Sequence, residues 1–191
     1  KALTGVEVKL DRGGRVVGHV TAGGSAAAGV RVRTGARSRR GGAFATTDAN
    51  GDFTLDGVVP GEETLDFVKE GFVTKHKDVE IVAAKDVRVD VDLDRGREIR
   101  GRVVDRSGQP VANARVNASS QQPSYGNNVT TDSDGQFAIS GLEDGRYTVT
   151  AQKNGLVSAS VDDVDAAAGR PVTLTLDRGA TITGRVVGLP P

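Results

Sequence analysis

The sequence predicts an all-β chain of tandem seven-stranded antiparallel Greek-key β-sandwiches, and three observations carry that prediction. First, LDRG occurs at Leu10–Gly13, Leu93–Gly96 and Leu176–Gly179, two equal steps of 83 residues (10 to 93, 93 to 176). Second, apolar residues between these marks alternate with polar ones. Third, the apolar set is dominated by Val, aromatics are only 4% and glycines number 26. Branched residues with many glycines favour short strands and tight turns over helices.

The repeat extends beyond its marks. TTDANGDF at Thr46–Phe53 matches TTDSDGQF at Thr130–Phe137, and Gly57, Gly61 and Gly71 match Gly141, Gly145 and Gly155. The offset is 83 at the module ends and 84 in the middle, with one extra residue at the turn DRSGQPVAN. Slippage at turns, with strands kept in step, is what tandem β modules show.

Each strand of the second copy follows from period two. In EIRGRVV, Ile99, Gly101 and Val103 share a face. Ala114, Val116 and Ala118 then alternate with Arg115 and Asn117. Phe137 and Ile139 come next, then Tyr147, Val149 and Ala151, a strand at VSASV, and finally Val172, Leu174 and Leu176. Gly, Pro, Asn, Asp or Ser bounds every run, the strand signature. VDAAAG allows one turn of helix and no more. Seven short antiparallel strands in about 83 residues make a two-sheet sandwich.

The ends fit the same register. GVEVKLDRG aligns with the last strand of a module, and ATITGRVVGLPP with the first strand of another. The expected divisions are 1–10 (last strand of an upstream repeat), 11–94 and 95–177 (two complete repeats) and 178–191 (first strand of a downstream repeat). The chain has no Met and reads as a piece of a longer array. With almost no linker between LDRG and the next strand, adjoining modules are expected to hold a restricted angle.

Composition excludes several functions. There are no cysteines, so disulfides, thiol catalysis and cysteine-based metal sites are out. The 25 basic and 25 acidic residues cancel, giving no global pull toward nucleic acid. No apolar run approaches the ~18–20 residues of a membrane span, so no direct membrane insertion is expected.

The second copy reads GRVVDRSGQPVANARVNAS, then VTTDSDGQFAISGLEDGRYTVTAQKNGL. Its pieces are Gly101–Asp105, Gly108–Val116, Thr131–Phe137, Gly141–Tyr147 and Lys153–Gly155. In order and spacing this resembles the carboxypeptidase regulatory-like domains, a transthyretin-like (prealbumin-like) β-sandwich family related to Cna B-type surface repeats. The first copy is looser, lacking the turn proline and the Tyr. The resemblance implies non-catalytic modules that fold, space or bind beside other domains of the same polypeptide. It also implies an extracytoplasmic setting, whether secreted, surface or periplasmic. Some Cna B-type relatives carry a Lys–Asn cross-link. Here the first strands offer Arg15, Arg100 and Arg102, and the last strands have no Asn, so none is expected.

Candidate chemistry is sparse, and no catalytic, cofactor or metal residue is assigned. His19 sits where the other copies have Arg102 and Arg185, an outward strand position, and His76 lies in the charged stretch TKHKD. Asp48, Asn50 and Asp52 alternate oxygens as calcium loops do, but glycine falls at the fourth position and no Glu follows at the right distance. Asp90, Asp92 and Asp94 read as a solvated carboxylate row on one strand face. The stretch RVRTGARSRRGG stands out. Arg31, Arg33, Arg37, Arg39 and Arg40 crowd ten positions and invite an acidic polysaccharide or an acidic surface protein. The matching loop of the second copy offers Gln121, Gln122, Tyr125, Asn127 and Asn128, whose polarity suits a sugar. Aromatic residues do not interleave the arginines as single-stranded nucleic acid requires. The function expected is a structural spacer that presents other domains, with adhesion through these loops as the alternative.

Overall fold

A computed structural model of the chain describes residues 13–35, 42–120 and 127–179. No helix is found among them. The chain divides into two compact units between Gly96 and Arg97.

Unit 1 contains β1 (Gly14–Ala22), β2 (Ser25–Ala26), β3 (Arg31–Thr34), β4 (Phe44–Thr46), β5 (Asp52–Val58), β6 (Gly61–Val68), β7 (Lys75–Ile81), β8 (Asp86–Arg88) and β9 (Val91–Leu93). One sheet is built around β1, which pairs with β2, β5, β8 and β9; the other runs β4-β3-β6-β7. Unit 2 contains β10 (Arg97–Asp105), β11 (Arg115–Ser119), β12 (Asn127–Thr130), β13 (Gln136–Leu142), β14 (Arg146–Gln152), β15 (Leu156–Val157), β16 (Ala159–Asp165) and β17 (Val172–Arg178). Its sheets run β13-β10-β17-β15 and β12-β11-β14-β16.

The alternating rows become the cores. Ile99, Val103, Val116, Phe137, Ile139, Val149, Leu174 and Leu176 form one buried cluster in unit 2. Val16, Val20, Val32, Leu55, Leu65, Phe67 and Leu93 form the counterpart in unit 1. With so few aromatics, branched aliphatics fill most of each core. Phe53 and Phe67 meet edge to face, with centroids 5.7 Å apart.

Two features depart from the expected pattern. The first and last strands of each unit run parallel, so one sheet of each unit is mixed while the other is purely antiparallel. In unit 2, Gly101 pairs with Val172, Val103 with Leu174 and Asp105 with Leu176. In unit 1, β1 pairs with β8 and then with β9. The chain passes through the other sheet and returns beside its first strand in the same direction. Some expected strands are also subdivided. VSASV contributes Val157 to β15, which pairs with β17, and its later residues to β16, which pairs with β14. VDAAAG closes as a turn in which Asp165 Oδ1 accepts Ala167 N–H at 2.9 Å.

Candidate functional site

The repeated TTD turn is a structural device in both units. Thr131 Oγ donates to Val111 O at 2.7 Å and accepts Ala114 N–H at 2.9 Å. Thr47 does the same with Ala27 O and Val30 N–H, at 2.6 and 2.9 Å. Asp132 Oδ1 accepts the N–H groups of Asp134 and Gln136, and Asp48 those of Asn50 and Asp52. These bonds close an Asx-type turn whose glycine, Gly51 or Gly135, has φ of +82° or +71°. Of the oxygens that resembled a calcium loop, Asp48 Oδ1 is thus engaged in the turn, and Asp52 Oδ1 meets His19 Nδ1 at 2.8 Å.

The carboxylates at the end of unit 1 are exposed, as a solvated row requires, and each has a partner within the unit. Asp90 accepts His19 N–H and Arg88 Nε–H; Asp92 accepts the Thr21 hydroxyl at 2.5 Å; Asp94 pairs with Lys75. The Arg88 hydrogen bond holds the Asp90 carboxyl below its usual range, and the Thr21 hydroxyl does the same for Asp92.

Arg31 and Arg33 project outward from β3. Arg37, Arg39, Arg40, Gln121, Gln122 and Tyr125 lie outside the described residues. Asn127 opens β12 and pairs with Ala118. No description therefore joins the two loop sets into a site.

One outward-facing row crosses all four strands of the second sheet of unit 1. Phe44 on β4 stands opposite Arg33 on β3, Arg33 opposite Asp66 on β6, and Asp66 opposite His76 on β7. Phe44 is 83% exposed, whereas Asp66 is 1% exposed. Asp66 Oδ2 lies 3.4 Å from Arg33 Nε, and its Oδ1 lies 2.8 Å from His76 Nδ1. A buried carboxylate is costly unless paired, and both oxygens here have a cationic or polar partner.

The equivalent row of unit 2 is Asn128, Asn117, Thr150 and Ser160, in the same pairing. The sandwich therefore closes without Phe44, Arg33, Asp66 or His76. His76, in the charged stretch TKHKD, thus has a buried partner that the stretch itself does not announce. Asp66 is hidden in the sequence because it stands between Leu65 and Phe67 at an outward position. Setting the two copies side by side, where Asp66 aligns with Thr150, is the signal that exposes it.

Unit 2 carries an open groove on the outer face of β10 and its neighbours, lined by Arg100, Arg102, Asp134, Gln136 and Thr173 among others. Its cations are engaged within the protein: Arg100 with Glu98 and Arg102 with the carbonyl of Asp134. No helix among the described residues is long and apolar enough to cross a membrane.

Two-sheet β modules in tandem, with their first and last strands side by side, define the class. The chain belongs to the carboxypeptidase regulatory-like domain family, whose model matches residues 14–94 and again 98–177. No curated protein matches it. Solved structures with some likeness include the shaft pilin SpaA from Lactobacillus rhamnosus GG, 14% identical over 90% of this chain and 100% of that one, with a TM-score of 0.41. A Streptococcal ancillary pilin is 17% identical over 85% of this chain and 62% of its own, with a TM-score of 0.37. The Bacillus anthracis TIE protein is 16% identical over 87% of this chain but only 34% of its own, with a TM-score of 0.39.

Proposed function

We propose that the two units are non-catalytic spacers that present other domains of a secreted or surface polypeptide and bear tension along the chain. The observation that carries this reading is the parallel pairing of first and last strands. Tension enters each unit at the start of its first strand and leaves at the end of its last. In parallel neighbours those two points lie at opposite ends of the ladder. Pulling then loads every pairing from Gly101↔Val172 to Asp105↔Leu176 at once, in shear. An antiparallel pair joined by a hairpin would instead open one bond at a time.

The passage between units supports the same role. Gly96 is held in the first unit by its N–H to Gly71 O at 3.0 Å, and Arg97 is held in the second by pairing with Leu142. No free residue separates the two attachments to give slack. Family membership agrees with a role as an accessory module rather than an enzyme.

Single-molecule pulling from the chain ends tests the proposal. Two separate abrupt ruptures are expected. Each should release the chain of one matched repeat, roughly 27–29 nm at ~3.3–3.6 Å per residue. Gradual yielding without discrete steps would defeat the load-bearing role.

A further inference from the structure

We propose that the outer face around Phe44 and Arg33 in unit 1 binds a carboxylate-bearing polysaccharide. Phe44 places a ring in solvent, 83% exposed, well beyond any other exposed large apolar residue described. Arg33 stands directly beside it across the strand pair, about 4.5–5.5 Å away between Cβ atoms. One acidic pyranose presents the same two chemistries on one ring. Its axial C–H groups can lie on the aromatic face while its carboxylate meets the guanidinium.

Asp66 makes Arg33 a positioned cation. The carboxylate engages Nε of the guanidinium at 3.4 Å. No partner is found for the Nη atoms among the described residues. Those atoms retain the paired donor geometry that grips a carboxylate. Asp66 also brings His76 into the row. A buried acid that the sister unit replaces with Thr150 is not demanded by the fold. Its evident effect is to hold Arg33 and His76 in place.

Charge and shape favour a polyanionic glycan over other partners. Arg31 lies on the same face of β3 as Arg33, two positions away. Repeated cations suit a polymer with repeated acids. A protein interface needs an apolar centre ringed by polar groups, but the outward neighbours here are mostly polar, namely Thr46, Thr64, Asp78 and Glu80, with Val68 opposite Arg31 the one further apolar side chain among them. A nucleic acid strand would need successive rings on which to stack. This inference is independent of the spacer reading, because binding and mechanical strength are measured separately and either can fail alone.

The test uses the full chain with polygalacturonate as probe, beside neutral dextran, polyglutamate and a single-stranded oligonucleotide, at fixed salt. Polygalacturonate should bind, more weakly as salt rises, and dextran should not. Phe44→Ser and Arg33→Gln should each weaken binding about tenfold or more. Asp66→Thr, which imports the residue of unit 2, should weaken it too, while Asn117→Ala and Asn128→Ala should leave it unchanged. Phe44 is exposed, so its variant keeps the melting temperature and decides the matter even if Arg33→Gln folds poorly. Three results would overturn the proposal: no binding of polygalacturonate, full binding by Phe44→Ser, or equal binding of polyglutamate or the oligonucleotide.

Discussion

Gly101 and Phe137 stand directly opposite each other on β10 and β13, and the Phe ring fills the space a side chain at position 101 would need. The same pair recurs in unit 1 as Gly18 and Phe53. Two separate pieces of the repeat, the glycine of its first strand and the Phe after its turn, are therefore one contact. The carbonyl of Val172, or of Val89 in unit 1, closes the other side.

Gly101→Ala should accordingly destabilise unit 2 by about 1–3 kcal/mol or more, the cost of overpacking a closed core. Phe137→Leu in the same chain should recover only part of that loss, because the Val172 carbonyl remains in the way. Chemical denaturation of the two single variants and the double variant gives the coupling. A neutral Gly101→Ala would show that the close approach is not structural.

Thr131 is expected to matter as much as a core residue. Thr131→Val keeps the shape but strands the Val111 carbonyl and the Ala114 N–H away from water. Leaving such groups unpaired should cost about 2–4 kcal/mol. Thr47→Val should act alike in unit 1. Denaturant midpoints measure both, and Thr131→Ser, which keeps the hydroxyl, should retain most of the stability.

The sequence made the alternating rows legible because an inward-facing residue every second position leaves a direct trace. Ile99, Val116, Ile139 and Leu174 all lie in the core where period two places them. Strand direction leaves no such trace, so the parallel pairing of β10 with β17 emerged only in three dimensions. Asp66 was missed for a related reason. Alternation assigns a residue to a face, but not the depth at which neighbours on that face cover it. Arg31 and Arg33 stand out because charge density is written in the sequence, whereas the strands that flank them, β4 with Phe44 and β6 with Asp66, are set by pairing and leave no such mark.

Acid should weaken the fold through its turn and edge carboxylates. The Ser107 hydroxyl and the Gln109 N–H hold Asp105 below its usual range, and the Arg97 guanidinium does the same for Asp144. A depressed folded-state value means the unfolded chain takes up the proton first as pH falls. These carboxylates thus contribute fully above the ordinary carboxylate pKa of about 4, and the contribution is lost progressively below it. Unfolding free energy should be flat from about pH 5 to 7 and fall toward pH 3. Asp105→Asn should make the acid slope of unit 2 shallower. An unchanged slope would remove Asp105 from this account.

The shear geometry of the first and last strands is the central claim, and pulling one unit in two directions tests it most directly. The chain has no native cysteine, so introduced cysteines give unique handles. Arg97→Cys with Arg178→Cys places handles at opposite ends of the β10–β17 ladder. Arg102→Cys with Thr173→Cys places them on a neighbouring pair within it. The first pair should rupture abruptly at a clearly higher force, because all pairings must fail together. The second should open at low force, bond by bond. Equal forces in the two directions would contradict the load-bearing role assigned to this pairing.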